Sequence, residues 1–322
     1  MASPNVSEIV TTTLRNRSKK LADNVTNNNA LLNRLKKKGN NRPFSGGQNI
    51  MQELEYAENA TYKRYSGYET LDISPSDVFS AAEFNIKQAA VAVTISGLEQ
   101  LQNSGKEQMI DLLESRIKNA ERTMMNNIST DIYSDGTADS SKQIGGLQLL
   151  VADAPATGTV GGINRANFAF WRNQNYDFSD ESVTPSSSTI QTAMNTLWLN
   201  CVRNNDKPDL IVADNTYFRY YWESLQANQR FTSEDMAAAG FDSLKFMSAD
   251  VVFDGGQDGS APSSHMYFLN TDYIHFRPHR DRDFTPLDPD RFATNQDAMV
   301  KLIGWAGNMT LSNASLQGVI VA

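Results

Sequence analysis

Six side chains in the C-terminal part of the chain could hold a cation or do acid–base work: His275, His279, Asp281, Asp283, Asp288 and Asp290. Imidazole and carboxylate suit zinc or a hard divalent ion. The same stretch is interleaved with Arg277, Arg280, Arg282 and Arg291, and alternating opposite charges more simply make a salt-bridged loop at an interface. Asp254-Gly-Gly-Gln-Asp258-Gly hints at a calcium loop but lacks the further carboxylates such a loop needs, so it reads as a mobile surface loop. Cys201 is the single cysteine, which excludes a disulfide framework or a cysteine-based zinc site within one chain. It falls on the apolar face of an expected helix with no histidine near it in sequence, and reads as a buried small hydrophobe, not a nucleophile. The glycine pairs match neither a P-loop nor G-x-G-x-x-G, and no Ser/His/Asp spacing supports a triad. The residues therefore point to a non-enzymatic assembly protein without metal or cofactor.

Charge is the stronger signal. Residues 1–48 carry nine basic side chains (Arg15, Arg17, Lys19, Lys20, Arg34, Lys36, Lys37, Lys38, Arg42) against Glu8 and Asp23, a net of +7; the whole chain is −8, so the remainder is about −15. An acidic body does not bind nucleic acid over its whole surface, so any such contact belongs on the arm or a local basic patch. A solvated, disordered tail is the bland alternative for the basic run. No apolar run approaches the ~20 residues that span a bilayer, and no apolar leader opens the chain.

The elements that must position these residues are mixed. Residues 1–21 could form a short amphipathic helix; Leu31, Leu32 and Leu35 make one more apolar turn, and Gly39 to Gln48 reads as an extended linker. Residues 49–95 alternate as strands: Ile50–Tyr56, then Tyr62, Tyr65, Tyr68 and Leu71 around Gly67, then a return run from Phe84 to Ile95. The tip, Ala57–Tyr68, is polar and aromatic with nothing aliphatic to anchor it, which suggests a long two-stranded flap needing a neighbour to lie on. Residues 105–133 are the clearest helix, apolar at Ile110, Leu113, Ile117, Ala120, Met124, Ile128 and Ile132, and about 43 Å long. A loop-rich section follows, then a helix over about 187–203, a strand Leu210–Ala213, and Asp214 capping a helix with Phe218, Tyr221 and Trp222 inward. Strands are expected at Phe246–Phe253, Met266–Leu269, Tyr273–Phe276, Met299–Trp305, Met309–Leu311 and Leu316–Val321. Without a regular βαβ repeat the class is α+β.

The order of short motifs carries a resemblance. A basic arm precedes Gly46-Gly47-Gln-Asn-Ile50, then come the hairpin with Gly67-Tyr68-Glu-Thr-Leu71, a spine helix ending in Ser134-Asp135-Gly136, then Ile144-Gly-Gly-Leu147, Gly161-Gly-Ile163-Asn-Arg165 and Trp171-Arg-Asn173. This resembles the major capsid proteins of tailed bacteriophages, the HK97-like fold family. The resemblance implies an N-terminal arm at 1–48, an E-loop at 49–88, a P-domain over 89–186 with its spine helix at 105–133, a mainly A-domain region at 187–290, and return strands to the P-domain at 291–322. It implies a virion protein assembled in the host cytoplasm as hexamers and pentamers into an icosahedral shell around double-stranded DNA. Expected partners are a portal, a separate scaffolding protein or a removed scaffolding segment, and a decoration protein, with no membrane. The E-loop's contacts between neighbouring subunits would fall to Tyr62, Lys63, Arg64 and Tyr65. The basic arm would act through Lys36, Lys37, Lys38 and Arg42, and A-domain salt bridges through Arg277, Arg280 and Arg282. Asp254–Ser264 would be the least ordered loop of the body. Lys63 has no matched asparagine for the isopeptide cross-link some members form. The competing reading is a DNA-binding protein or enzyme whose basic arm grips nucleic acid.

Overall fold

The computed structural model describes residues 29–102, 106–225, 243–254, 261–292 and 297–322. Its first element is helix α1 (Ala30–Lys37), which brings Leu31, Leu32 and Leu35 onto one buried face. Strands β1 (Asn49–Glu55) and β2 (Phe79–Asn85) pair antiparallel from Asn49↔Asn85 to Glu55↔Phe79. Ile50, Leu54, Ala82 and Phe84 point inward from this ribbon, the period-2 pattern of a half-buried strand pair. The return run expected from Phe84 to Ile95 is two strands. After Ile86 the chain starts β3 (Lys87–Ser96), which leaves β1 and pairs instead with β13 (Ala298–Leu311).

The spine helix α2 (Lys106–Asp131) has 26 residues, about 39 Å at 1.5 Å per residue. Ile117, Ala120, Met124 and Ile128 form its buried stripe. The loop-rich section after it is fixed by the motifs noted in the sequence. Leu147 N donates to Ile132 O at 2.7 Å, and a Cβ on Gly146 would lie 2.4 Å from that same carbonyl, so only glycine lets the loop close on the helix end. The short pair β4 (Thr159–Val160) and β5 (Ile163–Asn164) turns at Gly161, whose φ is +58° and whose added Cβ would meet the Ala82 Cβ at 2.7 Å. Gly161 O accepts from Glu83 N at 2.9 Å, pinning the ribbon's base. Trp171 Nε1 donates to Val160 O at 2.9 Å, and Asn173 exchanges two hydrogen bonds with the Ala152 backbone. Arg165 is buried, which pulls its pKa down to about 10, and its guanidinium donates to the carbonyls of Trp171 and Leu150.

Two sheets organise the rest. One is six-stranded: β6 (Gln174–Asp177), β14 (Gly318–Val321), β10 (Met266–Leu269), β7 (Leu210–Ala213), β9 (Ala249–Phe253) and β8 (Ser243–Phe246), in that spatial order. Its four inner strands, β14, β10, β7 and β9, are buried on both faces. Leu210, Val212, Tyr267, Leu269, Val319 and Val321 join the core shared with α1 and α2, while Ile211, Ala213, Met266, Phe268 and Ile320 join a second core. Helices α3 (Ile190–Asn200) and α4 (Asn215–Ser224) supply that second core, and Asp214 caps α4 through Tyr217 N at 2.9 Å. The other sheet joins β13 to β3 on one side and, on the other, to β11 (Ile274–Pro278) and β12 (Thr285–Phe292). Phe276 stacks on Trp305 at 5.5 Å in its core.

Several expected boundaries move. Phe246–Phe253 is two strands turned at Met247, whose φ is +50°. The two strands expected at 299–305 and 309–311 are one continuous β13. Residues 274–292 belong to the sheet of β3 and β13, not to the six-stranded sheet, because the apolar alternation Ile274/Phe276 is matched by Trp305, Met309 and Leu311 on β13. Gly318–Val321 pairs with β10 and β6 in the six-stranded sheet and turns Val319 and Val321 toward the core that the spine helix shares.

Candidate functional site

The described part of the basic arm is bound to the body. Asn29 caps α1, its Oδ1 accepting from Leu31 N and Leu32 N at 3.0 and 3.2 Å. Its Nδ2 donates to Ser129 Oγ and Asp254 Oδ2 at 3.0 and 3.3 Å. Arg34 Nε meets Asp209 at 2.8 Å, and Lys38 Nζ meets Asp272 and Asp209 at 2.8 and 3.2 Å. Burial would raise the Asp209 carboxyl, but the Thr271 N–H, Arg34 and Lys38 together hold it below the usual range. Partly exposed ion pairs contribute at most ~1 kcal/mol each. Burying Leu31, Leu32 and Leu35 contributes about 1.5–3 kcal/mol apiece, so apolar packing anchors the helix and the charges orient it. Beyond α1, residues 40–44 run parallel beside β11, with bridges Asn41↔Phe276 and Phe44↔His279. The solvated tail weighed as the alternative thus does not describe residues 29–44, and the extended linker expected from Gly39 lies against β11 as far as Phe44. Lys36, Lys37 and Arg42 remain exposed. The helix expected at 1–21, with its four basic residues, lies outside the described residues.

The flap behaves differently. Its ladder ends where Tyr56 N donates to Val78 O at 3.1 Å, and residues 57–78 form no strand. The expected run Tyr62–Leu71 is therefore irregular: Gly67, with φ +58°, interrupts it, Ser74-Pro75 follows it, and no apolar partner faces it. Tyr62, Tyr65, Tyr68, Leu71 and Ile73 are exposed. The tip holds only to itself: Lys63 pairs with Glu69 at 3.2 Å, the Arg64 guanidinium lies 5.9 Å from the Tyr62 ring centre, and Asn59 Oδ1 accepts from Thr61 and Ser76. Tyr56, at its root, stacks on Phe170 at 5.2 Å.

Arg277 lies on β11, and Arg280 and Arg282 lie just after it. Arg280 N donates to Phe44 O at 2.9 Å, and Arg282 Nη1 donates to Gln88 Oε1 at 3.1 Å. Among the described residues no group of three His, Cys, Asp or Glu side chains converges. His275 is buried, which depresses its pKa to about 4 with help from Arg42 and Arg277, and His279 Nδ1 accepts from Asp281 N at 3.1 Å. Cys201 is buried and its thiol is pushed up to about 12, the opposite of an activated nucleophile. Asp254 turns inward, not out into a surface loop: burial raises its carboxyl, which accepts a hydrogen bond from the Tyr133 hydroxyl. Residues 255–260, most of the loop expected to be least ordered, lie outside the described residues.

No spacing in the sequence signals the pair His265 and Asp153. His265 Nε2 lies 3.1 Å from Asp153 Oδ2, and Nδ1 lies 2.7 Å from Ser263 O. Both partners only accept, so the two contacts are hydrogen bonds together only when both ring nitrogens carry protons, which favours the imidazolium. Burial alone would lower the His265 pKa, but Asp153, Ser263 O and Asp214 outweigh it and raise it above the ordinary 6.5. The stabilisation is therefore fully present below about pH 6.5 and lost as pH rises through the raised folded value. Thermal midpoints of the wild type and His265→Gln should differ at pH 5.5 and converge by pH 8.5; a gap independent of pH would contradict the assignment.

No protein-family model matches the sequence, and no curated protein is significantly similar to it. Solved structures do match. The cyanophage A-1(L) capsid asymmetric unit is 15% identical, with TM-score 0.67, covering 88% of this chain and 91% of that one. The capsid of Myoviridae phage XM1 is 12% identical, with TM-score 0.51, covering 89% and 91%. The encapsulin of the SrpI complex from Synechococcus elongatus PCC 7942 is 7% identical, with TM-score 0.50, covering 87% and 83%. With its projecting ribbon, spine helix and two sheets, the chain has the HK97-like fold of phage capsid proteins.

Proposed function

We propose that this chain is the major capsid protein of a tailed bacteriophage, a structural protein that assembles as hexamers and pentamers into an icosahedral shell around double-stranded DNA. The observation that carries the reading is the flap: a 22-residue tip with exposed Tyr62, Tyr65, Tyr68 and Ile73 and no core beneath it. Such surface in a soluble chain marks an interface, and tyrosine suits a contact that is apolar on one side and wet on the other. In this reading 1–48 is the arm, 49–88 the E-loop, the spine helix with the β3/β13 sheet the P-domain, and the six-stranded sheet with α3 and α4 the A-domain. A portal, a separate scaffold and a decoration protein are the partners, and assembly takes place in the host cytoplasm. The alternative, a nucleic-acid-binding protein or enzyme gripping through its arm, is disfavoured because Arg34 and Lys38 are engaged by the body's own carboxylates.

Sedimentation of the expressed protein tests the reading: very large particles support it, and a monomer or small oligomer overturns it. Exposed Lys36 and Lys37 are the arm cations placed to meet packaged phosphates or a neighbouring acidic body. Lys36→Gln/Lys37→Gln, which leaves the Lys38 bridges intact, should lower assembly yield or DNA retention and flatten their salt dependence. Unchanged yield and DNA content across salt would contradict that role.

A further inference from the structure

A second cationic group lies where the arm crosses β11. Arg42 N donates to Phe276 O at 2.9 Å, and His275 and Arg277 flank Phe276 on β11. Strand alternation turns both away from the Phe276 ring, and because Asn41 bridges Phe276 in parallel it turns Arg42 to that same side; burial first, then Arg42, lowers the proton affinity of both. His275 is 3% exposed, and its Nδ1 has no partner; Arg277 Nε is buried and also has none. The Arg42 guanidinium reaches only the Asn40 side-chain oxygen, at 3.2 Å. Among the described residues none of the three forms an ion pair. Other buried or half-buried cations here are compensated: Arg165 by two carbonyls, Arg34 by Asp209 and Asp250. Two neighbouring guanidinium groups, one of them half-buried, with one amide oxygen and no carboxylate against them among the described residues, are unfavourable in the isolated subunit.

We propose that Arg42 and Arg277, lying over the buried His275, form a receptor for one carboxylate of a second copy of this chain, filled when subunits assemble. The proposal rests on the shell-forming reading above. A guanidinium fork matches a carboxylate bidentately. The body outside the arm carries about −15, so carboxylates outnumber cations on the body of a neighbouring copy. A DNA backbone fits less well. It is held by a broad basic surface, whereas Asp281 and Asp283 alternate with Arg280 and Arg282 just beyond the cluster.

The test compares wild type with Arg42→Gln/Arg277→Gln, following the melting of dissociated subunits and the protein concentration needed for particles to form. Removing two mutually repelling cations should leave the subunit melting temperature equal or higher. The assembly concentration should rise about tenfold, the factor for losing one charge-assisted contact, and Arg42→Lys/Arg277→Lys should restore it in part. A lower subunit melting temperature would make the residues merely structural and overturn the proposal. Unchanged assembly of the variant beside a normally assembling wild type would overturn it while the shell reading stands. Normal assembly with loss of DNA from filled particles would assign the cluster to phosphate and overturn the second-copy receptor. A wild type that forms no particles would sink the shell reading and this proposal together.

Discussion

Deletion of residues 58–66 is expected to abolish shell formation and leave the subunit folded. The side-chain contacts of that segment are internal to the flap: Asn59 with Thr61 and Ser76, Lys63 with Glu69 and the Thr70 carbonyl, Arg64 with Tyr62. The ribbon's base stays pinned without it, through the β1–β2 ladder, Gly161 O and the Tyr56–Phe170 stack. Stability should change by no more than the few tenths of a kcal/mol expected of surface substitutions and loop shortening. The loss for assembly is large because the tip repeats in every subunit. Sedimentation and thermal melting of the same preparation separate the two effects. Intact particles from the deletion, or a subunit that no longer melts cooperatively, would show that the tip is not an interface element.

The opposite result is expected of the arm helix. Leu35→Ala should destabilise the isolated subunit by about 2–5 kcal/mol, because Leu35 is fully buried against the core that α1 shares with the spine helix and the six-stranded sheet. Out of the 5–15 kcal/mol that holds a domain together, this is enough to lower the melting midpoint by several degrees, with assembly lost as a consequence. Chemical denaturation of dissociated subunits measures it. A variant with unchanged subunit stability and defective assembly would instead place α1 on a neighbouring copy.

These two segments also show what could be read from sequence. The flap was legible because absence of a core is a compositional property: between Ala57 and Tyr68 there is no large aliphatic residue, whatever the fold. The spine helix was legible because its stripe from Ile117 to Ile132 repeats at the helical period over many turns. Arm docking was not legible. Leu31, Leu32 and Leu35 make a single apolar turn; the spine helix they pack with lies about 90 positions away, and the carboxylates Asp209 and Asp272 that orient it lie 175 and 234 positions from Arg34 and Lys38. The short glycine motifs suggested a family by order alone; why Gly146 and Gly161 are glycine became visible only once Ile132 O and Ala82 were seen against them. The split of the return run at Ile86 was missed for a related reason. Alternation continues through both strands, so periodicity cannot reveal that β2 and β3 have different partners. The sheet that Arg277 joins was not legible, because the pairing of β11 with β13 depends on residues 307–311, further along the chain.

The most direct measurement is cryo-electron microscopy of particles formed by the expressed chain. A shell protein built in this way should give closed icosahedral particles of pentamers and hexamers, with the tip around Tyr62–Tyr68 lying across an adjacent subunit and α1 staying on its own. Dispersed monomers, or particles whose flap folds back onto the subunit that bears it, would contradict the assignment.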